Sequence, residues 1–174
     1  ALSRAREVEI RCALLRLLPA CGDAAALAAL NSALSDPDSG VRDTAVRALA
    51  EWPDLSCWDS LSAIWAKPAN DAQRSLALRG LVRLADEANG APDEKLIARY
   101  RVLIEAARDD AELRQILSAL GGAADVEALS LALPVLDRSS VRAEAAAVVR
   151  KIAGAIKAKH PEVAKAALEK AAGK

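Results

Sequence analysis

Apolar residues recur three and four positions apart along most of the chain, and short breaks rich in Gly, Pro, Asp and Ser interrupt them. This spacing places the apolar side chains on one face of a helix, whereas a strand would need them at every second position. The chain has no Phe and a single Tyr, and no run of alternating β-branched and aromatic residues indicates a strand. The pattern therefore predicts an all-α protein with about ten helices, at 3–19, 23–35, 40–52, 55–66, 70–88, 92–108, 110–120, 123–136, 140–158 and 161–172.

Several of these predicted helices begin at residues that suit a helix start. Asp23 and Ser39 precede helices, and we expect their side chains to accept hydrogen bonds from free backbone N–H groups as N-caps. Pro92 and Pro161 should lie in a first helical turn, where the missing proline N–H costs no hydrogen bond.

Every second predicted helix carries an arginine near its start, and these arginines lie 28 to 40 residues apart. A repeat of this length with two helices per unit indicates an α-solenoid. An aspartate follows the first three arginines by twelve residues, at Asp23, Asp54 and Asp86. A guanidinium at a fixed repeat position suits a structural ladder, because its planar donors reach an Asp or the free carbonyls of a neighbouring helix end. The ladder arginines are Arg11, Arg42, Arg74, Arg114 and Arg142.

One stretch is similar to a known repeat. The segment LSDPDSGVR at 34–42, followed by Ala45, Val46 and Leu49, resembles the centre of a HEAT repeat. In that family an Asp in the turn and an Arg early in the second helix link neighbouring repeats, which implies this role for Asp36 and Arg42. The resemblance implies a right-handed α-solenoid of about five HEAT-like helical pairs. The Ala-rich rhythm also resembles HEAT arrays in multidomain bacterial proteins, which implies an accessory module that contacts other domains of its parent chain.

Composition narrows the class of protein. Hydrophobic residues make up 53% of the chain, which is too many for a disordered protein, and no apolar run approaches the ~20 residues that span a bilayer. The 24 basic and 24 acidic residues give zero net charge, which argues against a general nucleic-acid binder. No targeting leader is visible in the sequence, and since it lacks an initiator Met we expect a fragment or a processed product of a larger protein. We expect one repeat domain over 1–174, with a capping helix at 159–174.

The sequence contains few residues suited to catalysis or metal binding. His160 is the sole histidine and has no partner motif nearby, so the sequence predicts no enzyme, no cofactor and no metal site. Cys12, Cys21 and Cys57 fit small buried residues, with a Cys21–Cys57 disulfide as the alternative. The tryptophans Trp58 and Trp65 lie seven residues apart on one helix face, where we expect core packing rather than a binding anchor, and Trp52 is expected to pack between repeats.

A second arginine series follows the first by five residues, at Arg16, Arg47 and Arg79, and Arg83 extends it by one turn. The second helices of HEAT pairs line the concave face, so the resemblance implies that these four form a partner-binding stripe there. The alternative is that Arg47 forms local ion pairs with Asp43 and Glu51, which lie four residues on either side of it. Residues 150–174 also carry a net charge of +5, which suits either an anionic partner or the solvated face of a capping helix.

These observations favour a non-catalytic protein-binding or scaffolding module whose preformed concave face takes a protein partner without a large ordering cost. A nucleic-acid-binding HEAT-like domain is the first alternative, and zero net charge counts against it. A structural spacer inside a multidomain bacterial enzyme is the second alternative.

Overall fold

The computed structural model of the chain describes residues 7–90 and 92–173. These residues form ten α-helices packed in consecutive pairs, with three short 3₁₀ segments and no strand among them, so the all-α prediction is confirmed. The helices are α1 (Val8–Cys21), α2 (Ala24–Ala33), α3 (Ser39–Ala50), α4 (Trp58–Ala66), α5 (Asp71–Ala88), α6 (Glu94–Ala106), α7 (Asp110–Leu120), α8 (Val126–Ala132), α9 (Arg142–Ile156) and α10 (Pro161–Ala171).

The chain groups into two compact units, Ala1–Leu84 and Ala85–Lys174, whose boundary lies within α5. In the first unit α1 packs along α3, α2 packs on both of them, and α4 packs on α3. In the second unit α6 packs on α7 and α8, while α9 packs on α7, α8 and α10. Each of these nine helices therefore packs on near neighbours in the sequence, as the repeat period predicts. The prediction of a single domain over 1–174 with a capping helix stays a prediction.

The core of each unit is built from leucine and alanine side chains. Leu15, Leu30, Leu49 and Leu61 are fully buried in the first unit, as are Leu113, Leu117 and Leu120 in the second. Alanines fill many of the remaining buried positions, which lets the helix backbones come close together.

Gly80 lies at a close approach between helices of the first unit. A Cβ built on this residue of α5 would lie 2.8 Å from the Cα of Ala50 in α3 and 3.0 Å from Cδ1 of Leu61 in α4. No side chain fits in that space without displacing a neighbour, so the glycine allows α5 to pack directly against the backbone of α3.

Aspartates cap five of the ten α-helices in the described part of the chain. Asp23 accepts a hydrogen bond from the Ala26 N–H at 2.8 Å, which confirms its predicted role, and Asp125 caps α8 in the same way. Asp54 begins the 3₁₀ turn before α4. The twelve-residue step from Arg11 thus ends on the cap of α2, and the step from Arg42 ends on the cap of the 3₁₀ turn that leads into α4. The remaining caps are Asp38, Asp93 and Asp109.

Three details differ from the sequence prediction. The cap of α3 is Asp38 rather than Ser39, which is already the first helical residue. Pro92 lies before the cap of α6 rather than inside its first turn, whereas Pro161 does begin α10. The helix predicted at 123–136 is α-helical only over Val126–Ala132 and continues as a 3₁₀ segment from Leu133, because Pro134 cannot donate an α-helical hydrogen bond.

Candidate interaction surface

Two of the ladder arginines close the turn that precedes their own helix. Arg42 Nη1 donates to the carbonyl oxygens of Asp36 at 2.7 Å and Pro37 at 2.9 Å. Arg142 Nη1 donates to the carbonyl oxygen of Leu136 at 2.8 Å, six residues before it, which is the same offset as from Arg42 to Asp36. These guanidiniums therefore satisfy carbonyl groups that no intrahelical N–H can reach.

Arg74 makes the most buried contacts of the series. Only 6% of the residue is exposed, its Nη1 donates to the carbonyl oxygen of Trp65, and its guanidinium lies 4.6 Å from the centre of the Trp65 ring. One side chain thus binds both the end of α4 and the face of a core tryptophan through a cation–π contact.

The other two ladder arginines reach forward to the next repeat. Arg11 in α1 forms an ion pair with the carboxylate of Asp36, in the turn after α2. Arg114 in α7 donates to Glu144 Oε1 at 2.7 Å and to the carbonyl oxygen of Ser140 at 2.6 Å. Hydrogen bonding to its own backbone N–H lowers the pKa of Glu144, and the Arg114 contact lowers it further. Asp36 therefore does bind an arginine of a neighbouring repeat, and that arginine is Arg11.

The second arginine series is exposed. Arg16, Arg47 and Arg79, here called the arginine stripe, lie at equivalent positions of α1, α3 and α5, one residue after the buried Leu15, Val46 and Leu78. None of the three guanidiniums has a hydrogen-bond or ion-pair partner among the residues that the structure describes.

The local ion pairs considered for Arg47 do not form in the structure. Asp43 accepts a hydrogen bond from Gln73 Nε2 at 2.8 Å, and no ion pair joins Arg47 to Asp43 or to Glu51 within the described part of the chain. The Asp43–Gln73 bond instead ties α3 to α5, which holds the helices that carry Arg47 and Arg79 side by side.

The environment of Arg83 differs from that of the arginine stripe. It is half-buried, and its Nη2 donates to the carbonyl oxygens of Ala50, at 3.2 Å, and of Trp52. The guanidinium therefore satisfies the C-terminal end of α3. In the second unit the equivalents of the stripe positions are Ala119, which is buried, and Ala147, which is exposed.

Comparison with known proteins identifies the repeat. The sequence model of HEAT repeats matches residues 1–88, half of the chain. The chain belongs to the HEAT-repeat family. The match covers the segment at 34–42 on which the resemblance rested and all three helices that carry the arginine stripe. HEAT repeats generally serve as scaffolds for protein interaction, and HEAT domains are typically non-catalytic.

The fold agrees with that assignment over nearly the whole length. The chain superimposes on the crystal structure of an engineered protein from the Northeast Structural Genomics Consortium with a TM-score of 0.50 and 20% identity, over 99% of this chain and 94% of that one. At this identity the similarity shows the fold alone, which is the all-α arrangement of a HEAT solenoid. No curated protein shows significant sequence similarity to the chain.

The tryptophans of the first HEAT repeats lie in the core, as predicted. Trp52 is fully buried, and Trp58 and Trp65 are 7% and 2% exposed. Trp52 Nε1 donates to Ser56 Oγ at 2.9 Å, so the turn before α4 supplies its polar partner.

The three cysteines are free thiols, so the structure contains no Cys21–Cys57 disulfide. Cys57 is fully buried, and burial raises the pKa of its thiol to about 12. Cys12 is also buried, as predicted, whereas Cys21 is exposed at the end of α1. His160 is exposed at the N-cap position of α10 and makes no capping hydrogen bond with its side chain.

A buried hydrogen-bond network around Asn89 was not predicted from the sequence. Asn89 Nδ2 donates to the carbonyl oxygen of Ala119 at 2.7 Å, and its Oδ1 accepts from the Tyr100 hydroxyl at 3.0 Å. Burial raises the pKa of Tyr100, which keeps the hydroxyl a donor. A Cβ on Gly122 would lie 2.7 Å from Asn89 Nδ2, so this glycine makes room for the amide.

An apolar surface is exposed on α1. Ile10 and Leu17 are 49% and 63% exposed and lie seven residues apart on one face. The basic residues of the C-terminal segment, Arg150, Lys151, Lys157, Lys159, Lys165 and Lys170, are exposed as well. Among the described helices, none is both long enough and apolar enough to span a membrane.

Proposed function

We propose that this HEAT-repeat protein is a non-catalytic protein-binding module and that its partner binds across α1, α3 and the first part of α5. The observation that carries the proposal is the arginine stripe, since Arg16, Arg47 and Arg79 are exposed at one repeat position of consecutive second helices. They also lack partners within the described chain, so their donors are available to another molecule.

The surroundings of the arginine stripe support a binding role. The residues that precede the stripe arginines, Leu15, Val46 and Leu78, are buried, so the arginines lie on helices of the packed core rather than on a loop. A preformed surface of this kind loses little conformational entropy when a partner binds. Arginine is also among the residues that most often dominate the binding energy of protein interfaces.

The available side-chain chemistry supports a role without catalysis. The pKa of the Cys57 thiol, raised to about 12, keeps this buried group protonated at neutral pH and removes it as a nucleophile. The single histidine, His160, is exposed at the start of the terminal helix, far in sequence from the arginine stripe. Neither group lies in a constellation that acid–base or covalent catalysis would need.

The test compares partner capture by three forms of the protein. The first is the wild-type chain, and the second carries Arg16→Glu, Arg47→Glu and Arg79→Glu. The third is a matched control that carries the same three substitutions at exposed arginines outside the stripe, Arg101, Arg138 and Arg150. Each form is immobilised at equal density, and proteins retained from a lysate of the source cells are quantified by mass spectrometry.

We expect at least one protein to be retained by the wild type and by the matched control but not by the stripe variant, and to bind the wild type directly after purification. Both variants should keep the far-UV circular dichroism of the wild type, because all six arginines are exposed. Equal retention of every captured protein by the three forms would contradict the proposal.

A further inference from the structure

We infer that the arginine stripe recognises an acidic, extended segment of its partner that carries a carboxylate at every third residue. This inference rests on the proposed function and specifies the chemistry of the partner. Arg16, Arg47 and Arg79 are exposed at one repeat position of three helices and have no partner among the described residues, and a guanidinium binds a carboxylate through two parallel hydrogen bonds.

The spacing of the stripe follows from the packing of its helices. Adjacent packed helices lie about 8–10 Å apart, so neighbouring arginines at one repeat position are offset by about that distance. The α3–α5 pair is held close, because Gly80 brings α5 against the Ala50 backbone and Gln73 bonds to Asp43. The distance between neighbouring stripe arginines is therefore set by the spacing of packed helices rather than by the rise along one helix.

One extended conformation matches this period. A polyproline II segment rises about 3.1 Å per residue with three residues per turn, so residues i, i+3 and i+6 share one face about 9.3 Å apart. A β-strand alternates its faces, which turns residue i+3 away from residue i. An acidic residue at every third position of a polyproline II segment therefore meets one stripe arginine per turn.

The arginine stripe is limited to three helices, and Arg47 lies on the middle one. In the second unit, alanines replace the arginine at the equivalent positions 119 and 147, so the row of guanidiniums is confined to α1, α3 and α5. Arg47 lies at the centre of the row, and a ligand that spans all three arginines must cross it. We therefore expect substitution of Arg47 to weaken binding more than substitution of either end.

The experiment uses synthetic peptides as probes. The spaced peptide is Glu-Pro-Ala repeated three times, and the clustered peptide has the same composition with its three Glu residues adjacent. A nine-residue thymidine oligonucleotide supplies a polyanion of another class. Binding to the full chain is followed at low salt through the ¹⁵N-labelled arginine Nε–Hε signals, which report on each guanidinium separately.

We expect the spaced peptide to shift the signals of Arg16, Arg47 and Arg79 and to bind more tightly than the clustered peptide. Replacing Arg47 by Gln should weaken that binding about two- to fivefold, the range for a solvent-exposed ion pair, and added salt should weaken it further. The matched control, Arg138→Gln, should leave it unchanged.

Equal binding of the spaced and clustered peptides would overturn the three-residue period. The absence of any stripe shift with either peptide would overturn the acidic partner, and tighter binding of the oligonucleotide through the same arginines would assign the surface to nucleic acid. The proposed function is tested separately: a protein partner lost from the stripe variant, with no acidic peptide bound, would retain the proposed function and refute this inference.

Discussion

Substituting Gly80 by Ala should destabilise the protein although alanine is the better helix former. The new Cβ would lie 2.8 Å from Ala50 Cα and 3.2 Å from Ala50 Cβ, and neither atom can rotate away as a long side chain would. Overpacking of this kind costs about 1–3 kcal/mol, and backbone contact argues for the upper half of that range. Removing a glycine from a helix interior gains about 1 kcal/mol. The net expectation is a loss of about 1–2 kcal/mol in the free energy of unfolding.

Gly154 supplies the matched control for this substitution. It also lies inside a helix, α9, but it is exposed, and a Cβ there would meet no atom within 4 Å. Gly154→Ala should therefore raise the free energy of unfolding by about 0.5–1 kcal/mol through helix propensity and the unfolded chain alone. The two variants differ in packing and share the propensity term, so their difference isolates the contact between α3 and α5.

Both variants are compared with the wild type by urea unfolding, monitored through far-UV circular dichroism, with the slope of the transition checked for equality. For a chain of this size a change of 1 kcal/mol shifts the melting temperature by about 2–4 °C, which calorimetry resolves. If Gly80→Ala stabilises the protein as much as Gly154→Ala does, the close approach of α5 to α3 is refuted.

Three further predictions concern single side chains. Arg74→Ala should lower the free energy of unfolding by about 2–4 kcal/mol in urea titrations, because it removes a buried charged hydrogen bond and the stack on Trp65; a loss below 1 kcal/mol would contradict this. Asp23→Ala should cost about 1 kcal/mol through the lost cap, seen as a lower urea midpoint, and an unchanged midpoint would contradict the cap. Burial raises the pKa of the Cys57 thiol from 9.0 to about 12, so the thiol ionises in the unfolded chain first and the free energy of unfolding should fall as pH rises between these values. A Cys57→Ala variant should lack this pH dependence. In the native protein at neutral pH, a thiol reagent should modify the exposed Cys21 and leave Cys57 unmodified.

The helices could be predicted from the sequence because their signals are local. Apolar spacing, aspartate caps and breakers all act within one or two turns, so eight of the ten predicted helices keep their extent to within about three residues. The predicted start of the helix at 3–19 lies outside the described residues. The exception, 123–136, was misjudged because its apolar period continues through Pro134 while the backbone hydrogen bonding changes. A periodic pattern reports which face is buried and not which residue donates to which carbonyl.

The contacts of the arginines could be predicted only in part. Guanidinium chemistry predicts that the ladder arginines bind helix ends or an Asp. Whether each one binds the turn before its own helix or a residue of the next repeat depends on which groups lie close to it in the fold. Arg11 reaches Asp36 in the next repeat, whereas Arg42 finds only backbone carbonyls of its own turn. Arg83 was assigned to the exposed stripe because the sequence does not show how close α5 lies to the end of α3. No local pattern predicts the hydrogen bonds of Asn89, because its partners Tyr100 and Ala119 lie 11 and 30 residues away.

The short reach of these hydrogen bonds has a consequence for how the protein folds. The side-chain bonds between separate repeats that are described above span 25 to 33 residues, from Arg11–Asp36 to Arg83–Ala50. Native contacts this local demand little loop closure before they form, so the chain should fold rapidly from several nuclei rather than from one. Unfolding of such an array is the sum of nearest-neighbour steps. A damaged helix pair should therefore lose amide-exchange protection along with its immediate neighbours, while distant pairs retain theirs.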